Sequence, residues 1–327
     1  MKLISLLVYE EVVLSSVSGV IDLLNATNGY LQSTGQEPAF QLELVSEHAS
    51  QIQLQVPAAL ISTRTLEAAT ETELILVPAF SGHWDAVAAK NKAAITWLKE
   101  QRNKGAEIAS LCMGAYFLAE AGLLHGRQVA SHWLVQEDLA LRYPEVTLLR
   151  DVVLTDKDGI YSSGGALLSW NLVVYLVEKF CGREVAIGVS RMFNIDLDRH
   201  SQRHFAVFHA QHGHEDAPIR ACQLFMEENF TEEISLEALA CRAAMSKRNF
   251  IRRFKAATHN TPQEYLQRVR IEAAKKALER NEDDVNGAMF QSGYNDAKTF
   301  RKIFRHITGL TPQEYRKKYR RAEAVMV

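Results

Sequence analysis

Cysteine is scarce in this chain of 327 residues: there are four, Cys112, Cys181, Cys222 and Cys241, and no two stand at CxxC spacing. That argues against a disulfide framework and suits reduced thiols in a cytoplasm. Long apolar runs are missing too. Nowhere do the roughly 18–20 apolar residues that a membrane-crossing helix needs follow one another. The opening MKLISLLVYEE stops at two glutamates, too early for a secretory signal. The expectation is a soluble, cytoplasmic protein with no membrane partner.

Net charge is nearly absent, at -2, but only by cancellation. Residues 1–218 carry 16 Lys+Arg against 25 Asp+Glu, a balance of -9, while residues 219–327 carry 21 against 14, a balance of +7. A basic C-terminal part behind an acidic N-terminal part points to a polyanion-binding module attached to something else. The length suits two domains, and 47% hydrophobic residues can furnish buried cores.

The basic part contains a repeat. SKRNFIRRFKAATHNTPQEY (246–265) and DAKTFRKIFRHITGLTPQEY (296–315) align at an offset of fifty residues, with Phe250 on Phe300, Phe254 on Phe304 and TPQEY on itself. Self-similarity at a fixed period marks one supersecondary unit used twice. The Phe residues lie four apart, on one helical face, and basic residues occupy the others. A basic helix used twice suits reading two successive stretches of a long polyanion.

The first two hundred residues alternate strand and helix patterns. Strands are expected at 2–8, 42–45, 53–56, 73–77 and 106–111, with short ones at 128–130, 145–149, 152–154 and 160–162. Helices are expected at 18–31, 84–102, 112–123, 134–142 and 166–180. Such alternation predicts a mostly parallel sheet covered by helices on both faces, with ligands at the carboxyl ends of the strands. Cys112 lies at one of those ends, in AEIASLCMGAYFLAEAGLL, which reads as strand, sharp turn and helix. A nucleophile elbow has this shape, and its backbone N–H groups and helix terminus favour a thiolate. A small apolar Cys packed under a helix reads equally well.

This order of elements resembles the DJ-1/PfpI branch of the class I glutamine amidotransferase-like superfamily over residues 1–195. The resemblance implies a flavodoxin-like sheet, an acidic residue in the helix after the first strand, a Cys at the elbow and a His about twenty residues further on. Asp22, Cys112 and His132 stand at those places. Asp22 is one methylene shorter than the usual Glu, and the loop PAFSGH keeps only Gly82 where the family is commonly Gly-rich. The set is therefore expected to be vestigial, with no catalysis, no cofactor and no metal. A ligand pocket is expected around Asp22, Ser81, Gly82, Cys112 and Met113. His132, Trp133, Ser163 and Gly164 would form its other wall, the last two in the turn YSSGG.

The pattern breaks down in DLDRHSQRHFAVFHAQHGHEDAP. Five histidines (His200, His204, His209, His212 and His214) crowd there but match no metal-ligand template. Residues 196–218 are expected to be a polar, weakly structured linker, with Pro218 opening the next helix. From there Ser235, Ser246 and Asp296 each stand where a helix N-cap belongs, in two helix-turn-helix units joined by a long helix that starts at Thr261-Pro262.

Residues 219–321 thereby resemble the AraC/XylS transcription-factor domain. The resemblance implies that the second helix of each unit enters a major groove of double-stranded DNA. Lys247, Arg248 and Arg252 would face bases or phosphates from the first unit. Lys298, Thr299, Arg301 and Lys302 would do so from the second. The four Phe residues are expected in the core. The combination implies a regulator that pairs as a homodimer and answers a small-molecule effector, with contact to RNA polymerase left open. Two other readings stand beside it: a Cys-dependent amidase, protease or glyoxalase-like enzyme with a DNA-binding tail, and a redox sensor acting through Cys112.

Overall fold

The structure is a computed structural model that describes residues 1–48, 51–198, 201–280 and 284–319. The chain divides after Gln202 into two compact units.

In the first unit β1 (Lys2–Leu7) leads into α1 (Leu14–Ser33), and β2 (Phe40–Ser46) is followed by the hairpin β3 (Gln51–Gln53) and β4 (Ala59–Ile61). The short β5 (Arg64–Thr65), β6 (Leu74–Val77), α2 (Trp84–Lys90), α3 (Lys92–Asn103) and β7 (Glu107–Ser110) come next. Then follow α4 (Ala115–Glu120), β8 (Gln128–Val129), α5 (Gln136–Arg142) and β9 (Thr147–Leu148). The unit closes with β10 (Leu154–Lys157), β11 (Ile160–Ser163), α6 (Leu168–Cys181) and α7 (Arg183–Met192). Seven strands form one sheet in the order β10-β11-β7-β6-β1-β2-β5, parallel except for the β10–β11 pair. The sheet is buried because its central strands are apolar on both faces: all four residues of β6, LILV, are inaccessible.

Helices cover it through close approaches. At Gly19 of α1 an added Cβ would lie 2.3 Å from the Trp170 ring of α6, so the two helices meet only because that position has no side chain. The mostly parallel sheet between helices is as expected, but several elements are not. The stretch 84–102 is two helices, broken at Asn91, whose side chain donates to the carbonyl of Val87 (2.8 Å) and to the buried carboxylate of Glu11 (3.3 Å). The expected strand at 53–56 is instead the β3–β4 hairpin, and α7 was not anticipated at all.

The second unit is helical: α8 (Ala217–Glu228), α9 (Leu236–Arg242), α10 (Lys247–Thr258), α11 (Pro262–Arg280), α12 (Val285–Gln291), α13 (Ala297–Thr308) and α14 (Pro312–Tyr319). It has two cores. Phe250, Phe254 and Tyr265 centre one, with Ile219, Cys222 and Met226 of α8; Phe300, Phe304 and Tyr315 centre the other, with Ile271, Ala274 and Leu278 of α11. Long α11 therefore serves both, its first turns in one core and its later turns in the other.

The described residues of the segment expected as a weakly structured linker, 196–218, include packed ones instead. Gln202 is fully buried, with its side-chain amide donating to the Ser131 carbonyl at 3.0 Å. Beyond it, Lys275 donates to the Ala206 carbonyl (2.7 Å), the Phe208 ring lies edge-on to Tyr265 (5.2 Å), and Gln223 donates to the Gln211 carbonyl (2.9 Å). The histidines there take separate partners: His204 with Lys318, His212 with Glu227, His214 with Gln223. His200 lies outside the described residues.

Candidate functional site

The hydrogen bonds that frame the fifty-residue repeat recur in both of its copies. Ser246 accepts the Asn249 N–H at the start of α10, and Asp296 accepts the Thr299 N–H at the start of α13. At the other end Thr258 donates to the Phe254 carbonyl at 2.8 Å, as Thr308 does to that of Phe304. The repeated TPQEY is a capping box: Thr261 and Glu264 exchange bonds of 2.8 and 3.3 Å, Thr311 and Glu314 bonds of 2.7 and 3.2 Å. Its tyrosines are fully or almost fully buried and donate to a carboxylate on an earlier helix, Tyr265 to Glu227 and Tyr315 to Glu279, both at 2.5 Å.

The copies differ where α10 and α13 end. Gly309 holds a left-handed φ of +77° without strain, whereas His259 holds +56° with a side chain. Replacing His259 by Gly is expected to stabilise the second unit by about 0.5–1 kcal/mol, read as a higher urea midpoint at unchanged slope.

With the Phe residues turned inward, the cations face out. Lys247, Arg248, Arg252, Lys298, Thr299, Arg301 and Lys302 are all exposed. They are not equally available. Lys247 forms a salt bridge with Glu237, and the Arg252 guanidinium donates to Asn249 (2.9 Å). Lys298, Arg301 and Lys302 form no salt bridge among the described residues, and Arg305 extends them by one turn. These four, at i, i+3, i+4 and i+7, make one basic stripe along α13. Sequence reasoning missed Arg305, although the same spacing would have found it. Arg253, inside the repeat, is held by Asp216 through two bonds of 2.9 Å and belongs to the fold.

At the elbow, β7 ends and Cys112 takes φ +57°, in the left-handed region, before a single tight turn runs into α4. The turn is pressed against β6: a Cβ on Gly114 would lie 2.3 Å from the Val77 carbonyl oxygen and 2.9 Å from that of Pro78. The Cys112 N–H donates to Ser163 (3.2 Å), and its thiol receives the Ala166 N–H (3.4 Å). The turn after β11 is thus a wall of the elbow, with Gly164 and Gly165 closed over by Gln202 and the His132 ring.

Three expected members, Asp22, Ser81 and Gly82, make no bond to the elbow among the described residues. Asp22 lies on the exposed stripe of α1 with Asn25 and Gly29, while Ser16, Gly19, Val20 and Leu23 face inward, so the helix phase turns its carboxylate to solvent. Ser81 bonds to the Glu11 carbonyl and the Gln55 side chain, next to exposed Gly82, and neither bonds to the elbow. Met113 and Trp133 are half-buried, with Trp133 tilted beside His132 at 5.3 Å.

The electrostatics oppose a reactive thiol. Cys112 is 5% exposed, and burial pushes its pKa up, outweighing the N–H groups of Ala166 and Met113 that pull it down. Burial likewise pushes His132 down, toward the neutral ring, and its Nδ1 accepts the Leu134 N–H at 3.0 Å, which leaves the proton on Nε2. No hydrogen bond joins His132 to Cys112 among the described residues. A raised pKa keeps the group protonated at neutral pH, so the nucleophilic thiolate is scarce. In native protein at pH 7.5, iodoacetamide is expected to modify exposed Cys241 well before Cys112, as peptide mass mapping would show.

Residues 18–177 match the DJ-1/PfpI family and residues 239–318 match a helix-turn-helix domain. The chain is 26% identical over 223 residues to the HTH-type transcriptional regulator GbdR of Pseudomonas aeruginosa, covering 68% of this chain and 60% of that protein. It is 27% identical over 241 residues to the HTH-type transcriptional regulator ArgR of the same species, covering 73% of each. Among solved structures, a ThiJ/PfpI family protein from Pseudomonas syringae superposes with a TM-score of 0.51 at 16% identity, covering 75% of this chain and 91% of that one, a likeness of fold.

Proposed function

From the premise that this chain belongs to the AraC/XylS-type helix-turn-helix regulators and carries an N-terminal DJ-1/PfpI domain, we propose that it binds specific double-stranded DNA and regulates transcription in response to a small metabolite. The observation that carries this is the basic stripe of α13, which forms no salt bridge among the described residues and is set on a capped helix whose opposite face is the buried Phe300–Phe304 pair. Exposed cations free of salt bridges among the described residues suit an external polyanion, and their place on the second helix of the motif supports a role in a major groove.

The N-terminal unit is proposed as the sensor rather than an enzyme. Its thiol is buried and protonated, and its histidine is committed to capping a turn. The same facts weigh against a redox sensor at Cys112, which needs an exposed thiolate. A ligand would be held at the elbow by the loops around Ser163, Gly164, His132 and Met113, and two copies of the chain would place four helix-turn-helix units on two half-sites. Such a ligand acts only if it binds one arrangement of the DNA-binding units better than another.

The test is selection of genomic fragments by the purified protein at physiological salt, followed by sequencing. A shared motif whose half-sites lie whole helical turns apart supports the reading. Retention of random fragments that wash off as salt rises refutes it.

A further inference from the structure

The second unit holds a cleft that DNA recognition does not explain. It lies between the two helix-turn-helix motifs, on the flank of α11, and its volume is about 720 Å³. That is the size of a small-molecule site. Its apolar lining includes Ile234, Leu236 and Leu239, with Leu266 of α11 and Ile303 of α13.

The cleft also holds a cation, Arg270. The Arg270 guanidinium donates from Nε to the Phe230 carbonyl and from Nη2 to the Glu232 carbonyl, both at 2.7 Å, and lies 5.5 Å over the Tyr294 ring. No carboxylate pairs with it among the described residues. Burial holds its pKa below the usual arginine value, the sign of a cation lacking an anionic partner. Tyr294 lines the same cleft at 6% exposure, and its hydroxyl has no hydrogen-bond partner among the described residues. Buried polar groups are ordinarily satisfied, and a guanidinium with spare N–H donors matches a carboxylate in shape and charge.

We propose that this cleft binds a small amphipathic monocarboxylate, its carboxylate on Arg270 and its apolar part among Leu236, Leu266 and Ile303. The DNA-binding unit thereby has an effector site of its own. Asp296 and Thr299, at the start of α13, line the cleft as well. An occupant fixes how α13 sits against the first motif, so binding of the carboxylate and of DNA are coupled, each changing the other's affinity by the same factor.

Sodium octanoate is the probe, titrated into full-length protein labelled at Ile and Leu methyls and followed by NMR, with 1-octanol as its neutral match. The expected result is a saturable shift centred on Ile234, Leu266 and Ile303, with octanol at least tenfold weaker and Arg270→Gln weakening octanoate tenfold or more. Arg270 also ties down two carbonyls, so the variant is read only if its methyl spectrum is that of a folded protein. The octanol comparison needs no substitution and decides alone if it is not. Absence of a saturable shift at those methyls, equal binding of octanoate and octanol, or unchanged affinity in a folded Arg270→Gln variant would each overturn the proposal.

Discussion

Replacing Arg301 and Lys302 together by alanine is expected to lower site-specific DNA affinity by roughly a hundredfold or more, since each groove-facing cation is worth about 1–3 kcal/mol. The salt dependence should flatten with it, by about 0.9 in logarithmic slope for each phosphate no longer neutralised. Both side chains are exposed and make no salt bridge among the described residues, so folding should be nearly untouched. Arg253→Ala is the contrasting control. Arg253 is bound to Asp216 within the fold, so its loss should appear first in stability. Fluorescence anisotropy with a selected operator, repeated at several salt concentrations, separates the two. Unchanged affinity and slope in the double variant would remove α13 from the DNA interface.

Gly114→Ala is expected to cost the first unit about 3 kcal/mol or more, at or beyond the upper end of the usual overpacking penalty. The new Cβ would strike backbone that is itself fixed. The Val77 oxygen accepts the Leu111 N–H at 2.9 Å, and the Pro78 oxygen accepts the Tyr9 hydroxyl at 2.8 Å. Neither carbonyl can withdraw without breaking a buried bond, so the elbow must shift as a whole. All four tryptophans (Trp84, Trp97, Trp133 and Trp170) lie in this unit, so tryptophan emission during urea unfolding reports it separately from the helical C-terminal unit. A midpoint equal to that of the unsubstituted chain would mean that the close approach is slack.

How much the sequence disclosed depended on whether the signal was local. The helix-turn-helix repeat was legible because Phe spacing, Ser and Asp caps and TPQEY act within a few residues of where they stand, and the structure uses them there. The elbow was legible for the same reason, since strand, turn and small residues are consecutive. The exposure of Asp22 was not legible because it depends on the rotation of α1 about its axis, and Gly19 of that helix packs on Trp170 from far along the chain. The break at Asn91 depends on Glu11, eighty residues earlier. Residues 196–218 read as a loose linker because the partners that order its described residues lie elsewhere in the chain: Ser131 for Gln202, Lys275 for Ala206 and Tyr265 for Phe208. Arg270 gave no signal at all, because an arginine in a basic helix becomes unusual only once its neighbours are carbonyls and apolar side chains.

The paired cores of the second unit have a kinetic consequence. Each motif closes its own set of aromatic residues, and the 19 residues of α11, a rod of about 28 Å, tether one to the other. On the proposed reading, in which both motifs grip DNA, such a unit would be bivalent: when one motif lets go, the other would keep it within reach at an effective concentration on the millimolar scale. Complete departure then needs two releases to coincide. The chain would then step off a mismatched site quickly, where one grip is poor, yet dwell long on a site that satisfies both, so discrimination would rest in residence time more than in the rate of encounter.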